Sequence, residues 1–146
     1  MYVTKQDYKT RITDDLLNII IEQEDGKDID ILDDASKFAE DMLLGYAGSF
    51  YDVAGEFAKV GNARNYFVLN WALNIAAYII YQRVADDQVP EKVIKNYDDT
   101  IADLQKVANE DLAINLPPAP SDDTDPTTQN EGIRRMGSKT PRDHSL

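Results

Sequence analysis

Histidine, cysteine and paired carboxylates carry most protein chemistry, and this sequence places them poorly for it. There is one histidine, His144, near the end of the chain, and no cysteine. Cysteine nucleophiles, thiolate metal sites and disulfides are therefore excluded. With no histidine on a predicted helix, the Glu-x-x-His pattern of helical di-metal sites and histidine-based triads are missing as well. Acids occur side by side at Asp14/Asp15, Asp33/Asp34, Asp86/Asp87, Asp98/Asp99 and Asp122/Asp123. Two catalytic carboxylates must flank a substrate, and one usually has its pKa raised by burial. Neighbouring residues at helix starts and turns are exposed and point apart, so these pairs read as solvated.

Two further possibilities fail on spacing. Gly45, Gly48, Gly55 and Gly61 match neither nucleotide-binding fingerprint. The acidic loop EQEDGKDID, residues 22–30, suggests calcium, but setting Gly26 at the sixth position puts Ile21 first and Asp28 eighth. An EF-hand needs an acid first and an apolar residue eighth, so a solvated turn is the better reading. No cofactor or metal is expected, and an enzyme is the least supported class.

The elements that would position any site are helices. Residues 62–85, NARNYFVLNWALNIAAYIIYQRVA, are apolar on nearly all sides. Phe67, Trp71, Tyr78 and Tyr81 fall at helical spacing, and Asn70 and Asn74 alone interrupt the apolar surface between Tyr66 and Tyr81. Such a helix must be covered on nearly all sides. Its apolar runs fall short of the roughly 20 residues that span a bilayer, so it reads as a buried central helix rather than a membrane span. The aromatic stripe reads as core. Asn70 and Asn74 are either a satisfied polar contact inside the domain or, with Tyr66 and Tyr81, a strip facing another subunit. A domain this small has few helices with which to surround the central one, which suggests that copies of the chain complete one another.

Other helices are predicted around it. Thr4 with Asp7 resembles a capping box, so a short helix starts near Lys5. Thr13 can cap a second, with Asp14 and Asp15 in its first turn and a staple between Ile12 and Leu17. A third runs from about Asp28 or Asp30 to Gly48, with an apolar stripe of Leu32, Ala35, Phe38, Ala39, Met42, Leu43, Tyr46 and Ala47. Phe50, Tyr51, Val53 and Phe57 mark an aromatic linker that must pack on something. Asp86–Val89 form a turn, and Pro90 begins a last helix to about residue 110, whose narrow apolar face is Val93 or Ile94, Tyr97, Ile101, Leu104 and Ala108. The fold class is thus all-α: four to five helices around a buried central one, spanning residues 1–113.

Residues 114–146 read as an extended arm. Pro117-Pro118-Ala119-Pro120 favours a polyproline conformation, and the following polar stretch has too little apolar surface to fold alone. The net charge is −12, with 22 acids and 11 bases in residues 1–116, while Arg134, Arg135, Lys139 and Arg142 all lie within the last 13 residues. An acidic body argues against ordinary nucleic-acid binding. The basic end is a solubilising tail, a nucleic-acid contact or a docking arm, the last with Ile133 and Met136 as apolar partners to its charges. No N-terminal apolar run suggests a secretory signal, and cytoplasmic synthesis is expected.

Three segments together resemble the head-to-tail connector (adaptor, or head-completion) proteins of tailed phages, nearest the Mu-like group. They are Tyr2-Val-Thr-Lys-Gln-Asp7, Asp30-Ile-Leu-Asp-Asp-Ala-Ser36 leading to Gly45-Tyr46 and Phe50-Tyr51, and Val93-Ile-Lys-Asn-Tyr-Asp98 through Leu104 to Leu116-Pro117. The resemblance covers roughly residues 1–117. It implies an all-helical virion protein at the head–tail junction, assembled as a homo-oligomeric ring, commonly of twelve, beneath the portal protein and above tail or further connector proteins. Such a ring extends the channel through which DNA passes without sequence-specific binding. The alternative is an acidic DNA mimic that occupies a host DNA-binding protein. A third reading is a helical adaptor in a non-phage complex.

Overall fold

A computed structural model describes residues 1–24 and 30–121. The chain begins with α1 (Lys5–Tyr8), whose capping box is formed: Asp7 N–H donates to Thr4 Oγ1 at 3.3 Å, and Thr4 N–H donates to Asp7 Oδ2 at 2.8 Å. The next helix, α2 (Asp14–Glu24), starts after Thr13, whose hydroxyl accepts from Leu16 N–H. Asp30 caps α3 (Ile31–Ala47) by accepting from Asp33 N–H.

The aromatic linker contains a helix of its own, α4 (Val53–Phe57), capped by Asp52. Asp52 Oδ1 accepts from Gly55 N–H at 3.0 Å, and a Cβ on Gly55 would stand 2.2 Å from the same carboxylate. A larger residue at this position would have to displace the Asp52 side chain from its present rotamer. A short 3₁₀ turn at Gly61–Ala63, with Gly61 at φ 58°, leads into α5 (Tyr66–Ala85). A second 3₁₀ turn, Asp86–Gln88, precedes α6 (Glu91–Ala108), and Pro90 is its N-cap rather than its first residue.

The all-α class and the buried central helix are as the sequence predicts. Helix α5 lies against both α3 and α6, which also touch each other, and α1 reaches its near side. Between Val68 and Tyr81 α5 is largely enclosed: Val68, Trp71 through Ala77, Ile80 and Tyr81 are buried. This corrects the expectation that other copies must cover it, because α3, α6 and the N-terminal segment already do. Tyr2, Val3 and Tyr8 are themselves buried, so the N-terminal segment contributes three side chains to the core. Tyr78 stacks on Tyr97 of α6 with ring centroids 4.1 Å apart.

Two apolar positions differ from their predicted faces. Phe67 is 68 % exposed: in the first turn of α5 it is Val68 that is buried, at 2 %, while Tyr66 and Phe67 lie outside. Phe38 is 47 % exposed; the burying edge of α3 runs instead through Leu32, Ala35, Ser36, Ala39 and Leu43. On α6 Val93 is buried and Ile94 exposed, and Thr100 and Val107 complete the inner face.

The stretch leaving α6 turns back onto the body. Leu112, Ile114 and Leu116 pack against the core, and Ile114 N–H donates to Tyr51 Oη. Pro118 pairs antiparallel with Tyr51 in an isolated bridge. Proline is tolerated there because its neighbours make the bonds: Asp52 N–H donates to Pro117 C=O at 2.8 Å, and Ala119 N–H donates to Phe50 C=O at 3.0 Å. The first six residues of the expected arm, 114–119, are thereby tied to the helical body.

Candidate interaction surface

Two polar assemblies hold α5 in place, and between them they decide which surface remains for a partner. The first surrounds Glu56, a residue with no distinguishing spacing in the sequence. Its side chain is buried at the junction of α4 and α5. Tyr2 Oη donates to Glu56 Oε2 at 2.6 Å, and Asn65 N–H donates to the same oxygen. Lys59 Nζ stands 3.0 Å from Oε1 as an ion pair, outside hydrogen-bonding alignment. Burial works against the charge on Glu56, but the bonds from Tyr2 and Asn65 and the nearby Lys59 outweigh it and hold its carboxyl below the ordinary value. The Tyr2 hydroxyl is pushed well above its ordinary value by burial and by the bond to Glu56.

Arg64 continues this assembly. Its Nη1 donates to Asp7 Oδ2 at 2.6 Å and to the Tyr2 carbonyl at 2.8 Å, and Nη2 donates to Asp7 Oδ1 at 3.2 Å. A two-pronged guanidinium–carboxylate bond is geometrically demanding and stronger than a neutral hydrogen bond. Burial opposes ionisation of Asp7, yet Arg64 and the Thr4 cap hold its carboxyl below the ordinary value. Asn65 then caps α5, its Oδ1 accepting from Phe67 N–H and Val68 N–H, while its Nδ2 donates to the Asn115 carbonyl. The corner from 56 to 68 is thus bonded to both the N-terminal segment and the stretch that follows α6.

The second assembly answers the question posed by the two asparagines. Arg11 Nε donates to Asn74 Oδ1 at 2.9 Å, and Arg11 Nη2 donates to Asn70 Oδ1. Asn74 Nδ2 in turn donates to Thr100 Oγ1 of α6 at 3.1 Å. Asn74 is therefore satisfied within the chain, linking the α1–α2 turn, α5 and α6. Of the four residues Tyr66, Asn70, Asn74 and Tyr81 read as a possible subunit strip, Asn74 and Tyr81 are buried and Asn70 is half-buried. They do not form one exposed strip: the structure leaves only Tyr66 fully open, at 77 % exposure. The signal was present in the sequence, since a buried polar pair one turn apart needs a partner, but nothing local pointed to Arg11, 59 residues away from Asn70.

Tyr66 has company. Val60 is 79 % exposed, and Phe67 presents its ring beside Trp71, centroids 6.4 Å apart. The charges nearest this corner, Lys59 and Arg64, are neutralised inside the chain by Glu56 and Asp7. Val60, Tyr66 and Phe67 are thus exposed apolar side chains close together in the sequence, at the start of α5 and in the turn before it, while the neighbouring charges Lys59 and Arg64 are paired within the chain. Exposed aromatic groups on a preorganised frame are what strong protein contacts are made from.

The remaining candidates fall as follows. Asp14, Asp15, Asp33, Asp34, Asp87, Asp98 and Asp99 are exposed. Among the described residues no group of three or more acidic or histidine side chains converges as a metal site would require, and no helix is long and apolar enough to cross a membrane. Ile133, Arg134, Arg135, Met136, Lys139 and Arg142, and the acidic loop around Gly26, lie outside the described residues.

Residues 2–135 match the family described as Bacteriophage Mu, Gp36, and the chain belongs to that family. No curated protein and no solved structure matches it.

Proposed function

We propose that this phage protein is a non-enzymatic subunit of the head–tail junction, a ring component that joins the portal to the tail and lines the channel for DNA. The observation that carries the reading is the exposed apolar corner of Val60, Tyr66 and Phe67. The hydrogen bonds behind these residues stabilise the fold with or without a partner, but a monomer gains nothing from leaving three large apolar side chains in water. A subunit that must dock on a fixed neighbour gains a contact whose ordering cost is already met. The corner is therefore assigned to the contact with the portal.

Two further properties support it. The balance of −11 over residues 1–116 suits a channel wall, since it repels phosphate and lets DNA slide; screening limits this repulsion to about 10 Å at 0.1 M salt. The basic residues Arg134, Arg135, Lys139 and Arg142, with Ile133 and Met136, supply an arm of opposite charge for neighbouring subunits or the portal. The rival DNA-mimic reading needs an unbroken row of carboxylates. On α6 the acids are instead interleaved with Lys92, Lys95 and Lys106, and Lys95 and Asp99 pair at 2.7 Å.

The test is assembly on portal particles that lack this protein. The double variant Tyr66→Ser, Phe67→Ser should bind at least tenfold more weakly while melting at an unchanged temperature. Truncation after Ser121, which keeps the Pro117 and Ala119 bonds, should also weaken assembly. Unaltered binding by the double variant would reject the assigned corner, and failure of the intact protein to bind the particles would reject the junction role.

A further inference from the structure

We infer that the ring contact between copies is a head-to-tail one, in which an acid-flanked Phe38 on α3 of one copy enters a lysine-flanked groove between α1 and α2 of the next. This rests on the ring reading above and adds the surfaces that would close it. The groove has a volume of about 370 Å³. Leu17, Ile21 and Leu32 give it an apolar lining, with Ile21 48 % exposed, and Lys5 and Lys9 stand at its edge together with Asp14. Allowing about 30 Å³ per water, it holds on the order of ten waters, which is room for a phenyl ring.

The complementary feature is on α3. Asp34 and Asp41 lie four residues before and three after Phe38, so all three share one exposed helix face. Asp41 has no ion-pair partner among the described residues, and Asp34 meets only Arg83, at 3.4 Å with both side chains exposed. Leu32 lies six residues before Phe38 on the same helix, about 120° away around the axis. The groove and the aromatic side chain therefore face different directions and cannot meet within one copy.

Charge decides where two copies can approach. A body at −11 repels its twin unless one surface offers unpaired bases. Lys59, Arg64, Lys95 and Lys106 already pair with acids of their own chain, and Arg11 is bonded to the two asparagines. Among the described residues that leaves Lys5, Lys9, Lys37 and Lys92, with Arg83 held only by its exposed pair to Asp34. Lys37, Arg83 and Lys92 stand on open helix surface, whereas Lys5 and Lys9 border an apolar groove. Two different patches that fit each other make a heterologous contact, which closes into a ring or runs on as a filament.

The experiment reverses the charges on each side. Lys5→Glu/Lys9→Glu and Asp34→Lys/Asp41→Lys are each measured alone by mass photometry and sedimentation over a concentration series, then mixed in equal amounts. Each variant alone should self-associate roughly tenfold or more weakly than the natural protein. Their mixture should recover full assembly with strictly alternating copies, because every contact again joins acid to base; recovery also shows that both variants are folded. Variants that assemble like the natural protein, or a mixture that stays dissociated, would overturn the contact while leaving the ring intact. A natural protein that stays monomeric at every concentration and on portal particles would overturn both.

Discussion

The two ends of α5 present the same kinds of side chain with opposite fates. From Trp71 to Tyr81 the helix is largely enclosed by α3, α6 and the N-terminal segment, and its polar interruptions are bonded internally through Arg11 and Thr100. At Tyr66 and Phe67 the same aromatic surface continues into solvent. The difference is not composition but facing: within the first turn Val68 is buried, while Tyr66 and Phe67 are exposed. It teaches that an over-apolar helix does not by itself demand a second copy. The demand is confined to the side chains left uncovered, and there the chain spends its firmest hydrogen bonds.

The largest expected effect follows directly from that contrast. Trp71→Ala, at a site 4 % exposed, should cost about 3–5 kcal/mol of stability. Phe67→Ala, one turn earlier, should stay within about 0.5 kcal/mol. Denaturant melts of the two variants measure both, and equal losses would erase the distinction between the two ends.

Next comes the frame behind the exposed corner. Glu56→Gln removes the charge that Tyr2, Asn65 and Lys59 stabilise, and should cost about 2 kcal/mol, as loss of hydrogen bonds to a buried charged group does. The same groups set the acid limb of stability. Glu56 and Asp7 both ionise more readily in the folded chain than in the unfolded one. Their contribution is thus complete above the unfolded carboxyl value, about 4, and is lost as the pH falls through the lower folded values. The unfolding midpoint should drop below about pH 4, less steeply in Glu56→Gln than in the natural protein. Parallel acid limbs in the two proteins would remove Glu56 from the account.

Smaller still is Arg11→Met, which withdraws the donors to Asn70 and Asn74 but leaves the Asn74–Thr100 bond. A loss of about 1 kcal/mol is expected, the usual net value of an intramolecular hydrogen bond or two near the surface. No change would mean that water replaces the guanidinium without penalty.

How much of this the sequence discloses depends on the range of each interaction. Of the two starts the sequence allows for α3, Asp28 or Asp30, the structure takes Asp30. The Thr4–Asp7 capping box and the apolar run of α5 are local and read correctly from spacing alone. Glu56 does not, because its burial is created by Tyr2, 54 residues distant, and by the chain turning through Asn65. Phe38 and Phe67 sit at positions whose periodicity matches a core stripe; only the packing of neighbouring elements decides that they stay outside. Residues 114–119 have an extended composition, and their attachment depends on distant partners: Ile114 and Leu116 pack on the core, Tyr51 and Asn65 bond their backbone, and two backbone bonds join them to Phe50 and Asp52.

The sole tryptophan, Trp71, permits the most direct test, because it reports from the middle of α5. Acrylamide quenching of its fluorescence is measured from dilutions at which the protein is monomeric up to assembled concentrations. A self-covered helix predicts strong protection that is already complete in the monomer and unchanged by assembly. Quenching that is free in the monomer and suppressed only as copies associate would contradict it.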